Sequence, residues 1–345
     1  GGGSAAIYPR FAYIANSGGN TISIYCVDAS TGYLRYRGYV AAGTTPVSVT
    51  VDPSGKYAYA ANKGSSTVSQ YQIGADGSLT SMATPTIAAG TTPSSVTVDP
   101  SGKYAYVANE GTNAVSQFTI GADGALTSMA TPTVAAGTYP SFVTVDPSGK
   151  YAYAANAGSN DVSQYQIGAD GSLTSMATPT IAAGAVPLSV TIDPSGRYAY
   201  VANEGNYTVS QYTIGANGAL TPMVPATVTV GTYPASVTVD PSGKYAYTAN
   251  YWNDTVSQFL IGADGALTSM ATPTVAAGTN PSFVTVDPSG KYAYAANQGS
   301  NDVSQYTIGT NGALTLLGTM TTRNQPKSID MTKGATPVRH IPKYA

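Results

Sequence analysis

The sequence predicts an all-β protein: a seven-bladed β-propeller with four antiparallel strands in each blade. The tetrapeptide Asp-Pro-Ser-Gly recurs every 47 residues, beginning at Asp52, Asp99, Asp146, Asp193, Asp240 and Asp287. The composition is typical of pleated sheets joined by tight turns, with 27 Tyr, 38 Gly and 22 Pro. A unit of about 40 to 50 residues that holds four short strands is the usual pattern of a propeller blade.

The first complete unit shows how one repeat forms two hairpins. Residues Pro46–Asp52 alternate apolar and polar side chains as strand A, and Pro53 suits the second position of a tight turn. Strand B, Lys56–Asn62, places Tyr on one face and Ala on the other, so that neighbouring sheets can interdigitate. Strand C is predicted over Thr67–Ile73, and Gly74–Gly77 supplies the turn to strand D.

Strand D, Leu79–Ala88, is predicted to form the outer edge of the blade. Its Pro85 has no N–H to donate, and proline is tolerated on an edge strand but not in the middle of a sheet. The strands of a blade therefore follow the order A, B, C, D, with D outermost.

The two chain ends supply the seventh blade. Residues Arg10–Asn16, Thr21–Val27 and Leu34–Val40 match strands B, C and D, but no strand A precedes them. Pro326–Met331 resembles the start of strand A in the other units. We therefore expect this C-terminal strand to pair with the N-terminal blade and close the ring, which buries sheet faces that an open array would expose.

The predicted organisation is one propeller domain over residues 7–333. Blade 1 comprises 7–44 and 326–331, and the repeats run from about 45 to 322. Residues 1–6 are predicted to be a flexible tether or a cloning remnant, and 334–345 a C-terminal tail.

The repeat motif resembles that of a known family. Pro93–Asn109 reads Pro-Ser-Ser-Val-Thr-Val-Asp-Pro-Ser-Gly-Lys-Tyr-Ala-Tyr-Val-Ala-Asn, which is similar to the repeat of YVTN and lactonase-type seven-bladed propellers over nearly the whole chain. Members of that family resemble 6-phosphogluconolactonases and carboxymuconate cyclases, and many are exported. The motif consists of turn and core residues, so the resemblance implies the fold and leaves the activity open.

The internal copies differ from one another on one side of the predicted disc. Strand direction alternates, so the A-to-B and C-to-D turns share one side, here called the uniform face, where the sequence barely changes. The B-to-C and D-to-A connections share the opposite side, the variable face. The residue after strand B is Lys63, Glu110, Ala157, Glu204, Tyr251 or Gln298, and the residue before strand A is Thr45, Thr92, Tyr139, Val186, Tyr233 or Asn280.

We predict that the variable face binds a ligand around the mouth of the central channel. Aromatic rings beside carboxylates and amides suit a small polar ligand, a glycan or a protein partner. The predicted ligand-binding residues are Lys63, Glu110, Tyr139, Phe142, Glu204, Tyr207, Tyr233, Tyr251, Trp252 and Asn280. The alternative is that these loops vary because little constrains them, whereas the turns are fixed by backbone geometry.

The residue types present limit the chemistry. His340, in the predicted tail, is the single histidine, which argues against a Ser-His-Asp triad or a histidine-ligated metal, and we predict no metal and no cofactor. If the protein is an enzyme, Glu110 and Glu204 are the predicted acid and base. The family resemblance implies a lactonase pocket of His, Arg and Glu side chains, but no repeat contains His, and the only repeat arginine, Arg197, falls on the uniform face.

Charge and composition indicate the partners and the location. Only 9% of residues are charged and the net charge is -2, so we predict no nucleic-acid binding. No apolar run is long enough to span a membrane, although a lipid anchor at the N-terminus is compatible with the sequence. The surface composition suggests an exported protein, in the periplasm, on the cell surface or outside the cell.

The closing blade differs in charge from the rest of the chain. Residues 1–44 and 323–345 hold eight Lys or Arg against two acids, whereas the remainder holds seven against 15. This asymmetry suggests self-association through a basic edge, and the alternative is protection of that edge against strand pairing. The leading functional hypothesis is an exported, non-catalytic binding or scaffold module. The alternatives are a lactonase-like hydrolase of a ring ester in the channel mouth and a self-assembling surface component.

Overall fold

The computed structural model describes residues 7–338 as 28 β-strands and one short 3₁₀ turn. The predicted tether, 1–6, and the last part of the predicted tail, 339–345 with His340, lie outside the described residues. The strands are β1 (Tyr8–Asn16), β2 (Thr21–Val27), β3 (Leu34–Ala41), β4 (Pro46–Val51), β5 (Tyr57–Asn62), β6 (Thr67–Ile73), β7 (Leu79–Ala88), β8 (Pro93–Val98), β9 (Tyr104–Asn109), β10 (Ala114–Ile120), β11 (Leu126–Ala135), β12 (Pro140–Val145), β13 (Tyr151–Asn156), β14 (Asp161–Ile167), β15 (Leu173–Ala182), β16 (Pro187–Ile192), β17 (Tyr198–Asn203), β18 (Thr208–Ile214), β19 (Leu220–Thr229), β20 (Pro234–Val239), β21 (Tyr245–Asn250), β22 (Thr255–Ile261), β23 (Leu267–Ala276), β24 (Pro281–Val286), β25 (Tyr292–Asn297), β26 (Asp302–Ile308), β27 (Leu314–Thr321) and β28 (Pro326–Gly334); the 3₁₀ turn is Glu110–Thr112.

These strands form seven four-stranded antiparallel sheets, which confirms the predicted fold. Blades 2 to 7 are β4–β7, β8–β11, β12–β15, β16–β19, β20–β23 and β24–β27, each in the order A, B, C, D. Blade 1 has the order β28-β1-β2-β3, so the C-terminal strand closes the ring as predicted. β28 pairs with β1 through partners such as Ile14 and Ile329, and it continues to Gly334, three residues beyond the predicted Met331.

The seven A strands line the central channel. Each A strand contacts the A strands of both neighbouring blades, and β28 contacts β4 and β24 in the same way. The circle is therefore complete at the point where the two chain ends meet.

The core lies between neighbouring blades rather than within one. In the cluster between blades 2 and 3, Tyr59 and Ala61 of strand B pack with Val96, Ala105 and Phe118 of the next blade, all at most 5% exposed. Each sheet therefore depends on its neighbours to cover its apolar faces.

Tyrosine hydroxyls connect each blade to the next. The hydroxyl of Tyr59 donates to the carbonyl of Gly124 at 2.6 Å. Gly124 has a φ of +82°, and a Cβ there would lie 2.3 Å from the Tyr57 ring, so the turn requires glycine. Equivalent bonds run around the whole ring, from Tyr13, Tyr106, Tyr153, Tyr200, Tyr247 and Tyr294.

The Asp-Pro-Ser-Gly turns are structural. Asp52 Oδ1 accepts hydrogen bonds from the backbone N–H groups of Lys56 and Tyr57 at 2.8 and 2.7 Å, and its Oδ2 accepts one from the N–H of Ser54 at 3.0 Å. The other five aspartates of this motif make the same contacts, which explains why the uniform face barely varies.

No helix in the described part of the chain has the length and hydropathy needed to cross a bilayer.

Candidate functional site

The central channel opens on the variable face into a cavity of about 450 Å³, here called the variable-face cavity. Its walls come from B-to-C loops, from D-to-A loops and from the first residues of the A strands. Of the ten predicted ligand-binding residues, the structure brings seven together on these walls: Lys63, Glu110, Phe142, Glu204, Tyr233, Tyr251 and Trp252.

The other three predicted residues do not line this cavity. Tyr139 is 57% exposed on the rim. Tyr207 packs behind Tyr233, with the ring centres 5.5 Å apart. Asn280 supports the site from outside, because its Nδ2 donates to the backbone carbonyl of Tyr251 at 3.0 Å.

The two acids proposed as a catalytic pair differ in their surroundings. Glu110 forms an ion pair with Lys63, with Nζ and Oε2 2.6 Å apart, and this pair joins blades 2 and 3. Glu204, on blade 5, has no ion pair within residues 7–338. Burial raises the pKa of Glu204 above the usual range of a glutamate. Glu204 is therefore a partly buried acid that has no cationic side chain to compensate it.

Lys327 is a functional candidate that the sequence reasoning missed. It is the second residue of β28, where the other A strands carry Val47, Ser94, Ser141, Leu188, Ala235 and Ser282. Its Nζ donates to Oε1 of Gln298 at 2.5 Å, and it has no carboxylate partner in the described chain. Burial, with a smaller contribution from the charge of Lys63, lowers the pKa of Lys327. The lysine was visible in the sequence, but Pro326–Met331 was interpreted only as a closing strand.

Four aromatic residues contact one another between blades 5 and 6, and this group is here called the aromatic corner: Tyr207, Tyr233, Tyr251 and Trp252. The last three line the cavity, and Tyr207 packs behind them. The Trp252 ring stands nearly perpendicular to Tyr233, at 83° and 5.6 Å, and to Tyr251, at 88° and 5.2 Å. Trp252 is 59% exposed. Glu204 lines the same cavity as Tyr233, Tyr251 and Trp252. Burial, and secondarily the Glu204 carboxylate, raise the pKa of Tyr251.

Phe142 and Phe283 form the floor of the cavity. They occupy the third position of strand A in blades 4 and 7, where the other five blades have serine. Both residues line the variable-face cavity and also the narrower channel below it, which holds about 200 Å³. The floor is therefore apolar at two points, whereas the walls carry the charges.

Two rings of residues on the variable face have left-handed backbone. One precedes the A strands and the other ends the B-to-C loops, with φ between +50° and +58° and no glycine among them. Where the loop residue is Asn or Asp, its side chain accepts the N–H of the residue before the next A strand, as Asn113 does from Tyr139 at 2.9 Å. The same contact is made by Asn20, Asn160, Asp254 and Asn301. Ser66 in blade 2 and Tyr207 in blade 5 occupy this position without making that contact.

The channel also opens on the uniform face, into a cavity of about 500 Å³. Prolines of the repeated turns line this mouth, including Pro53, Pro100, Pro241 and Pro288. Its distinctive groups come from blade 1, where Asp330 Oδ2 accepts the N–H of Val51 at 2.7 Å. This carboxylate joins β28 to blade 2, so its visible contacts are structural.

Among the residues that the structure describes, neither His nor Arg lines the variable-face cavity. In the described part of the chain, no three His, Cys, Asp or Glu side chains are grouped so that they could hold a metal ion. The cavity walls carry Lys327 and Glu204, neither of which has an ion-pair partner within residues 7–338. They also carry the Lys63–Glu110 ion pair and exposed aromatic rings. Such a set can bind and orient a polar ligand and can exchange protons with it through Glu204 or Lys327.

Comparison with known proteins relates this architecture to a family and to solved folds. A family model described as "Lactonase, 7-bladed beta-propeller" matches residues 5–90, 78–186 and 142–331. A search of curated protein sequences gave no match.

Among solved structures, the chain is similar to a protein from Bacteroides fragilis that is proposed to be a 6-phosphogluconolactonase. The two chains are 22% identical with a TM-score of 0.83, and the match covers 95% of this chain and 98% of that one. A periplasmic gluconolactonase from Pseudomonas aeruginosa has 19% identity and a TM-score of 0.79, covering 94% and 99% of the two chains. Hydrazine synthase from Kuenenia stuttgartiensis has 24% identity and a TM-score of 0.68, covering 86% and 91%. At these identities the likeness concerns the fold alone.

Proposed function

Because the chain belongs to the lactonase family of seven-bladed β-propellers, we propose that it is a binding propeller whose ligand occupies the variable-face cavity. The family fixes the scaffold, and the function depends on the side chains at this mouth. The volume of about 450 Å³ falls within the range of small-molecule sites, roughly 300 to 1,000 Å³.

One observation carries this proposal. Glu204 and Lys327 are both partly withdrawn from water in the same cavity, and neither has an oppositely charged partner within residues 7–338. A charge removed from water is costly unless another group compensates it. A polar ligand would supply the missing partners, and the exposed aromatic rings would cover its apolar face.

The single tryptophan provides a direct test of this proposal. Trp252 is the only Trp in the chain, and it lines the cavity, so its emission reports on this mouth and on no other part of the molecule. We expect a saturable change in Trp252 emission with at least one class in a panel of neutral sugars, carboxylates and amines. The double variant Glu204→Gln/Lys327→Met keeps Trp252 and is expected to lose most of that response.

The result that would overturn the proposal is a flat response to the whole panel, together with no heat of binding by calorimetry. A response that is identical in the parent and the double variant would also overturn it, since the ligand would then not depend on the unpaired charges.

Hydrolysis of a ring ester is the second candidate. The raised pKa of Glu204 favours it, because a carboxyl group whose pKa lies closer to neutral is a better general acid or base. The named activity of the Pseudomonas relative points in the same direction. Within residues 7–338, neither His nor Arg lines the cavity, which argues against the pocket that the lactonase resemblance implies.

A lactone panel separates the two candidates. A binding protein is expected to give no turnover above that of the Glu110→Gln/Glu204→Gln variant. Turnover that is robust in the parent and absent from this variant would establish the hydrolase instead.

A further inference from the structure

Aromatic rings of the corner and the Glu204 carboxylate face the same cavity. The rings of Tyr233 and Tyr251 stand almost perpendicular to Trp252, at 83° and 88°, and Trp252 is more than half exposed, so a ligand can reach this group of rings. Glu204 lines the same cavity as Tyr233, Tyr251 and Trp252, and its charge adds to the effect of burial in raising the pKa of the Tyr251 hydroxyl. Ring faces carry negative potential, and a carboxylate adds a full negative charge, so both features attract a positive group.

No positive side chain of residues 7–338 fills this place. Four cation–π contacts occur among residues 7–338, and they involve the rings of Phe11, Tyr33, Tyr39 and Tyr198, none of which belongs to the corner. The one ion pair of the described chain joins Lys63 to Glu110 and leaves Glu204 without a cation. The two lysines of the cavity are on blades 1 and 2, whereas the corner lies between blades 5 and 6.

Tyr207 differs from its counterparts in its side chain rather than in its backbone. Tyr207 and Tyr233 have φ of +56° and +57°, which the equivalent residues of the other blades share. Five other blades place Asn or Asp at the position of Tyr207 and gain a hydrogen bond to the N–H before the next A strand. Tyr207 and Ser66 are the two residues of this ring that do not make that bond, and in blade 5 the position instead carries a ring that packs on Tyr233.

We propose that the aromatic corner and Glu204 bind the ammonium group of an organic cation. The group lies against Trp252 and the two flanking tyrosines, and Glu204 compensates its charge. This inference rests on the proposed function, because it names the chemical class of ligand that the variable-face cavity takes.

Choline is a suitable probe, because a neutral compound of the same shape exists. This isostere is the alcohol in which a carbon atom replaces the quaternary nitrogen of choline. The two compounds differ in charge and hardly in size. We expect choline to change Trp252 emission saturably and to bind at least about tenfold more tightly than the carbon isostere, a ratio that reflects cation–π and carboxylate attraction.

Two variants of equal charge locate the effect. Glu204→Gln is expected to weaken choline binding about tenfold and to leave the weak binding of the isostere unchanged. Asp170→Asn removes one negative charge from the uniform face, where Asn217 already occupies the equivalent turn position, and is expected to bind choline as the parent does. Near-ultraviolet circular dichroism confirms that both variants are folded.

The possible outcomes distinguish this inference from the proposed function. Equal affinity for choline and its isostere would show an apolar site and overturn the ammonium assignment, as would binding of a neutral sugar or a carboxylate with no response to choline. In both cases the variable-face cavity would remain a binding site. If no compound changed the emission of Trp252, the result would contradict the proposed function as well.

Discussion

At the scale of single residues, the cavity is defined by departures from the repeat. Serine occupies the third position of strand A in five blades, and phenylalanine replaces it at Phe142 and Phe283. Lys327 replaces small or apolar residues at the second position, and Tyr207 replaces an Asn that would bond to the backbone. Because the copies are otherwise nearly identical, the equivalent residues of the other blades show what each position looks like without the departure.

The substitution Tyr207→Asn tests the cost of one such departure. We expect it to raise the free energy of unfolding by about 1 kcal/mol, because Asn tolerates left-handed backbone and its side chain can accept the N–H of Tyr233. Chemical denaturation measures the change. The reverse substitution in blade 4, Asn160→Tyr, is expected to cost about the same amount. Destabilisation by Tyr207→Asn would mean that packing on Tyr233 outweighs the backbone strain.

At the scale of elements, the sequence predicts the strands of the repeats closely, because each is bounded by a Gly- or Pro-containing turn at a fixed spacing. Strands C and D of the first unit were predicted at Thr67–Ile73 and Leu79–Ala88, as the structure has them. β28 lacks the Asp-Pro-Ser-Gly turn that follows the other A strands, and its end at Gly334 was not predicted. The cavity was predicted only in part, since loop sequences reveal which residues differ and the contacts among Glu204, Tyr251 and Trp252 depend on side-chain packing across blades.

The buried tyrosines of strands B and C predict how stability depends on pH. Twelve tyrosines of residues 7–338 are fully buried. Burial raises the pKa of Tyr71, Tyr165 and Tyr212 to about 12 and that of the strand B tyrosines further. A tyrosine in the unfolded chain ionises near its ordinary pKa of 10, so the folded state holds more protons above that pH. The contribution of these tyrosines to the free energy of unfolding is fully present below pH 10. It is lost as the pH rises from 10 towards the pKa of the folded state, by up to about 1.4 kcal/mol per group per pH unit.

Ultraviolet titration with parallel circular dichroism checks this prediction. The exposed tyrosines are expected to ionise first, and the buried ones only together with a cooperative alkaline unfolding. Ionisation of all tyrosines in one early step, with the β-sheet signal unchanged, would contradict the burial described here.

At the scale of the whole molecule, closure of the ring places the individual loops around one mouth. β28 supplies strand A of blade 1, buries Ile329 and Met331, and contributes Lys327 to the cavity. The closing strand therefore has a structural role and a place in the candidate site. The exported location and the self-association of the basic closing blade stay predictions.

Removal of the closing strand tests this arrangement. A chain that ends at Gln325 is expected to lose at least about 3 to 6 kcal/mol of stability, because the apolar burial of Ile329 and Met331 is lost and the edge of β1 is exposed. A chain that ends at Val338 keeps all of β28 and serves as the control. Thermal unfolding and light scattering measure stability and aggregation. A truncated chain that remained a monomer with an unchanged melting temperature would place the seam elsewhere.

The most direct test of the binding mouth is to make the variable face uniform. The variant Lys63→Ala/Glu110→Ala/Glu204→Ala/Tyr251→Ala/Trp252→Gly gives these loops the sequence that blade 4 has at Ala157 and Gly158. The measurement is the rise in melting temperature produced by each compound of the sugar, carboxylate and amine panel, since a ligand that binds only the folded state stabilises it. We expect the variant to fold and the rise seen in the parent to vanish. An equal rise in both proteins would show that the ligand binds elsewhere and would contradict the assignment of the variable-face cavity.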